Sequence, residues 1–89
     1  MSPQCKYYVL FTRRAKKDFN KIPQKDQPRI ERVISLLAYN SYVGKKLGGD
    51  LQNRYSIRAW PYRIIYWIKK KILVVEVLAI GHRKDIYQK

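Results

Sequence analysis

The chain has 89 residues, enough for one domain; at this length a fold buries only about 60–65% of its unfolded surface, so the core is marginal. Apolar residues make up 46%, too many for intrinsic disorder, and no apolar run reaches the roughly 20 residues of a membrane span. Twenty Lys and Arg against six Asp and Glu give a net charge of +14, a field that draws polyanions, so nucleic acid or an acidic partner protein is expected.

The N-terminus lacks the long apolar core of a signal peptide, so a cytoplasmic location is expected. Cys5 is the single cysteine, which excludes an internal disulfide, and one His with one Cys cannot build a zinc site. No metal and no cofactor are expected, and Cys5 is read as inert. Lys6 to Phe11 (KYYVLF) is an aromatic and β-branched run, read as a buried strand. Thr12 can cap the helix that follows, where Ala15, Phe19 and Ile22 recur at helical spacing and Arg13, Arg14, Lys16, Lys17 and Lys21 form a basic outer face. Pro23 ends it, because the residue before a proline avoids the helical region. Asp26 is a candidate N-cap for a second helix, with Pro28 tolerated in its first turn. Ile30, Val33, Ile34 and Leu37 then make the apolar stripe, which runs out near Tyr39 and Asn40. The two helices make a hairpin without the large aromatic face of a membrane-surface helix.

Ser41 to Asn53 holds three of the four glycines and reads as a loop. After it the period becomes two. Tyr55 to Ala59 alternates, Tyr62 to Ile68 is aromatic and β-branched, and Ile72 to Ile80 (ILVVEVLAI) is nearly all apolar, as a central strand covered on both faces would be. Lys69, Lys70 and Lys71 turn the chain between the last two. The order β-α-α-β-β-β gives an α+β domain over residues 1–89, a helical hairpin packed on one side of a small, mostly antiparallel sheet. The first strand is expected to pair with the last.

Trp60-Pro61 separates the second and third strands. Proline excludes a type I′ turn, so a four-residue connection from Ala59 to Tyr62 is expected. Any even-length connection sets Arg58 directly opposite Arg63, about 5 Å away at Cβ, where like charges destabilise. Two guanidiniums held so suggest an anion between them; the alternative is that both splay into water. Near the C-terminus His82, the single histidine, stands beside Arg83 and Lys84, with Tyr87 further on. Histidine titrates near neutrality, Arg stabilises phosphorane charge, and Tyr can stack on a base. The strand end is expected to bring His82 near Arg63. Lys45, Lys46 and Arg54 are candidates for holding RNA phosphate. Glu76 interrupts an apolar run and is expected to pair with a Lys or Arg of the sheet. Tyr62, Tyr66 and Trp67 are read as core.

Lys46-Leu47-Gly48-Gly49, Tyr55-Ser56-Ile57-Arg58, Tyr62-Arg63-Ile64-Ile65-Tyr66, and Gly81-His82-Arg83 with Tyr87, in this order across nearly the whole chain, resemble the RelE/ParE toxin superfamily. The resemblance implies a type II toxin neutralised by a co-expressed antitoxin, with a microbial-ribonuclease-like fold. Its RelE branch cleaves mRNA in the ribosomal A site; its ParE branch inhibits DNA gyrase and lacks the cleavage residues. Arg63, Arg83 and Tyr87 match the RelE pattern. Arg58 matches one of two lysine positions on the second strand, and Ser56 departs from the other, to which a base role belongs. His82 falls on a position that is basic in relatives and so becomes the leading proton-transfer candidate. The resemblance thus implies a metal-independent endoribonuclease that works on ribosome-bound mRNA. The 2′-hydroxyl attacks the adjacent phosphate, leaving a 2′,3′-cyclic phosphate and a 5′-hydroxyl. Trp60-Pro61-Tyr62 is similar to a ParE feature and keeps a gyrase inhibitor as the alternative. A basic RNA-binding domain of the ribosome is a third class. The expected partners are the ribosome with its mRNA and an acidic, amphipathic antitoxin segment.

Overall fold

The computed structural model describes residues 6–48 and 53–82. Strand β1 (Tyr8–Phe11) leads into helices α1 (Arg13–Lys21) and α2 (Gln27–Tyr39), and strands β2 (Lys45–Lys46), β3 (Arg54–Ala59), β4 (Tyr62–Lys69) and β5 (Val74–His82) follow. The sheet order is β1-β5-β4-β3-β2, antiparallel throughout except for the parallel β1–β5 pair. First and last strands pair as expected. No helix among the described residues is long and apolar enough to cross a membrane.

Local chemistry accounts for the helices. The Thr12 hydroxyl accepts from the Ala15 amide at 3.1 Å, capping α1. The end of α1 is closed from α2, where the Gln27 side-chain amide donates to the carbonyls of Phe19 and Ile22 at 3.2 and 3.1 Å. These are orphan acceptors that a helix terminus must place somewhere. Asp26 does not cap α2 with its side chain, contrary to expectation. Its carboxylate instead accepts from the Tyr62 hydroxyl at 3.0 Å, tying the start of α2 to the start of β4.

Both helices lie on one face of the sheet. Ala15, Ile22, Ile30, Ile34 and Leu37 pack against Tyr55, Ile64, Tyr66, Ile68, Val75 and Val77. Full burial of such aliphatic side chains contributes about 1.5–3 kcal/mol each, which makes this layer the main stabilising element. Tyr66 is fully buried, so its hydroxyl needs partners inside the core: it donates to the Ser41 carbonyl at 2.9 Å and accepts from the Gly44 amide at 3.0 Å. Burial pushes the Tyr66 phenol up to about 12, with Tyr55 adding to the rise and the Gly44 hydrogen bond opposing it. The loop after α2 is therefore pinned to the middle of the sheet.

The structure corrects several expectations. β1 is an edge strand and not a buried one: Tyr8 and Leu10 are exposed while Val9 and Phe11 face the helices. Its apolar run hides an ordinary alternation. The segment 41–53 contains a 3₁₀ turn (Ser41–Val43) and β2, which adds a fifth strand beside β3. The connection between β3 and β4 is the two residues Trp60-Pro61, joined by a cis peptide bond, the turn form that accepts proline at its second central position. Strand β5 begins at Val74 because Lys70–Ile72 form a 3₁₀ turn closed by Leu73 in the left-handed region, with φ 55°. It is central, yet no helix covers its second face among the described residues. Its register shifts beside Ile65 and Tyr66, where Leu78 is left over as a bulge.

Candidate nucleic-acid interface

The pleat sorts the basic residues of the sheet. Directly opposite residues share a face, and residues two apart on one strand share it as well. Arg58 stands opposite Arg63, as loop parity predicted, and Arg63 stands opposite Gly81. Glycine at the third position of this row contributes no side chain beside Arg63. One row further, Ser56 lies between Lys45 and Ile65; in the next, Arg54 pairs with Trp67 and Trp67 with Glu76. All of these belong to the face turned away from the helices. Arg58 and Lys45 are exposed, and Ser56 is buried beneath its neighbours.

Trp67 anchors the far end of this face. The Arg54 guanidinium lies 4.2 Å and the Lys69 ammonium 4.4 Å from its ring centroid, distances at which the indole quadrupole attracts cations. Lys69 also forms a 3.0 Å ion pair with Glu76, the pairing expected for that carboxylate. Trp67 was expected in the core; its parity with Arg63 along β4 places it on the basic face instead. Tyr66 and Tyr62, one step out of phase, belong to the helix side as expected.

The bulge decides where the end of β5 points. Before it, Val75 and Val77 face the helices; after it, Ile80 does, and Gly81 joins the arginine face. Helix α1 holds this geometry: the Thr12 hydroxyl donates to the Leu78 carbonyl at 3.1 Å, and the Asp18 carboxylate accepts from the Ile80 amide at 3.0 Å. His82 is consequently carried to the helix side. It stands opposite Tyr62, ring centroids 6.3 Å apart, in a recess shared with Asp18, Lys21, Ile22 and Pro23. The expectation that the strand end would set the imidazole beside Arg63 is thus corrected: the backbones are adjacent, the side chains alternate. Tyr62 has its phenol raised above the usual range by burial first, then by its hydrogen bond to Asp26 and that carboxylate's charge.

Of the residues singled out from sequence, the fold brings Arg58, Arg63, Arg54 and Lys45 onto one face. It separates Lys46, which shares the side of Tyr55. Arg83 and Tyr87, with Cys5, lie outside the described residues. Sequence reading missed Trp67 and Lys69 as members of the face; the spacing of two from Arg63 through Ile65 was the available signal.

This architecture has known counterparts. A family model described as the ParE toxin of type II toxin–antitoxin systems matches residues 9–87. The chain belongs to this toxin family. Toxin RelG of Mycobacterium tuberculosis is 34% identical over 89 residues, covering 93% of this chain and 98% of the relative. Toxin RelE of the same organism is 32% identical over 90 residues, covering 99% and 93%. The toxin–antitoxin complex RelBE2 from Mycobacterium tuberculosis contains a similar chain, with a TM-score of 0.80 and 30% identity over 88% of this chain and 99% of that one. The isolated E. coli RelE toxin shares the fold, with a TM-score of 0.76 at 22% identity over 91% and 90% of the two chains. The chain is therefore a toxin of the RelE/ParE type, an α+β domain with two helices on a mostly antiparallel five-stranded sheet.

Proposed function

We propose that this toxin is a ribosome-dependent endoribonuclease that cuts mRNA in the A site and so inhibits translation and growth. The observation that carries the reading is Arg58 set directly opposite Arg63 on a basic sheet face that no helix covers among the described residues. Like charges so placed oppose folding, and a phosphodiester between them offsets that repulsion. The 2′-oxygen loses its proton as it bonds to the neighbouring phosphorus, and the P–O5′ bond breaks with a proton taken up by the departing 5′-oxygen, giving a 2′,3′-cyclic phosphate and a 5′-hydroxyl. Arg58 and Arg63 stabilise the charge gathering on the equatorial oxygens, a contribution of about 3–4 kcal/mol for one well-placed donor. Arg54 and Lys45 hold flanking phosphates. Arg83 and Tyr87 keep the roles that the resemblance implies, in charge stabilisation and in orienting the cleaved nucleotide. His82, turned toward Tyr62, reaches the arginines only around the end of β5, so proton transfer through it requires a relay.

The antitoxin partner of such a toxin fits the opposite edge. An apolar groove between β1 and α2, lined by Tyr7, Val9, Phe11, Ile34 and Ala38, borders the β1 edge, which no further strand pairs among the described residues. An amphipathic, acidic segment suits it by burying apolar side chains there while its charge meets the +14 surface.

Purified toxin added to ribosomes programmed with a defined mRNA tests the proposal. Cut mRNA bearing a 5′-hydroxyl is expected, with Arg63→Ala about 10²–10³ slower. Intact mRNA would overturn it. The match to the ParE model favours one second reading, a gyrase inhibitor without nuclease activity. Under that reading gyrase supercoiling falls in the toxin's presence while mRNA stays whole.

A further inference from the structure

Trp60-Pro61-Tyr62 spans the turn between Arg58 and Arg63, and Trp60 takes no part in the proposed cleavage. Both ends of this turn are fastened to the start of α2. The Arg29 guanidinium donates to the Trp60 carbonyl at 2.9 Å, and the Tyr62 hydroxyl donates to the Asp26 carboxylate at 3.0 Å. Trp60 is nevertheless 55% exposed. Among the described residues of β3, β4 and their turn it is the one exposed aromatic: Tyr55 and Tyr66 are buried, and Trp67 is flanked by Arg54 and Lys69. Any residue could accept the Arg29 bond through its backbone, so that bond does not call for an indole. A ring left this far in water forgoes most of the burial energy that makes tryptophan valuable in a core.

We propose that Trp60 is a base-stacking platform at the tip of the β3–β4 hairpin, taking a nucleobase that flanks the phosphate held by Arg58 and Arg63. At the strand rise its Cα stands within about 7 Å of that of Arg58. A phosphate between the arginines therefore sets a neighbouring base one sugar away from it, within reach of the indole. The two bonds to α2 fix the turn before RNA arrives, so little ordering of the backbone is needed on binding. The apolar groove suited to the antitoxin lies at β1, with β5 between it and β4, which leaves this tip to the ligand of the arginines. The inference rests on the RNA reading of the arginine pair, but it concerns stacking and needs no cleavage.

The test compares two ligands of equal charge: a 2′-O-methyl RNA hexamer, which cannot be cut, and an abasic sugar-phosphate strand of the same length. Trp67→Phe leaves Trp60 as the single tryptophan, so its fluorescence reports the tip alone. The hexamer should quench it and the abasic strand should not. In binding titrations over a salt series, Trp60→Leu should weaken the hexamer about tenfold, while Trp60→Phe, which keeps an aromatic face, stays within about threefold of wild type. The slope of log affinity against log salt should not change, because no phosphate contact is lost. The abasic strand should bind all three proteins alike. Circular dichroism confirms that the variants are folded. Wild-type hexamer affinity in Trp60→Leu would overturn the platform, as would an equal loss for the abasic strand or an absence of quenching. A Trp60→Leu protein that loses antitoxin affinity and keeps its RNA affinity would make the tip a protein contact instead. Wild-type toxin that binds neither strand removes the platform and the RNA reading together. The expected pattern beside mRNA left uncut on ribosomes keeps the platform and removes the nuclease reading.

Discussion

Replacing Arg58 by Gln separates a residue kept for function from one kept for folding. Arg58 is exposed, faces Arg63 across β3 and β4, and makes no contact that the core depends on. Cross-strand Cβ atoms lie about 5 Å apart, and long side chains diverging from there carry their charges on the order of 7 Å apart. Two unit charges at that distance in water repel by about 0.6 kcal/mol. Salt with a Debye length of about 8 Å cuts this to about 0.3 kcal/mol at physiological ionic strength. Removing the Arg58 charge should therefore leave stability unchanged or raise it by about 0.3–0.6 kcal/mol, the gain shrinking as salt rises. Cleavage of ribosome-bound mRNA should meanwhile slow by about 10²-fold, because a cation aimed at the developing phosphorane is gone. Urea unfolding at 20 mM and 500 mM salt gives the first quantity and single-turnover cleavage the second. A loss of more than about 1 kcal/mol at unchanged m-value would make Arg58 a structural residue. A wild-type cleavage rate would refute its place in the site.

Tyr66→Phe should cost about 2 kcal/mol at neutral pH, since it strands the Ser41 carbonyl and the Gly44 amide in the core. The folded phenol is raised to about 12 from an ordinary value of 10, so its stabilising effect is complete below pH 10 and is lost as pH rises through 12. Urea midpoints should show the gap between wild type and Tyr66→Phe closing across that window, and a gap constant to pH 12 would contradict the buried bond pair. Asp18→Ala frees the Ile80 amide beside the bulge and should cost about 1–3 kcal/mol and slow cleavage, whereas Asp18→Asn keeps an acceptor and should restore most of both. Stopped-flow association with the antitoxin should slow steeply between 50 and 500 mM salt, as steering by a +14 surface requires; a salt-independent rate would exclude an acidic docking segment.

Much of this toxin is local and could be read along the chain. Thr12 and Pro23 bound α1 through hydrogen bonding and steric exclusion within a few residues, and the stripe from Ile30 to Leu37 marks α2 by its period alone. The Arg58–Arg63 pair was legible for the same reason, since any even connection in a hairpin fixes that partnership. What could not be read depends on how strands meet. β2 is two lysines long, too short for any pattern, and exists because the Tyr66 hydroxyl holds the preceding turn against β4. The apolar run of β5 carries no alternation, so nothing in it marks Leu78 as the extra residue. Helix α1 makes that choice from a distance, through Thr12 and Asp18. One bulged residue reverses the faces of everything after it, which puts Gly81 beside Arg63 and carries His82 to Tyr62. Residue chemistry along the chain named the groups that can meet a phosphate; the sheet's register, set by contacts more than 60 residues apart in sequence, decided which of them share a face.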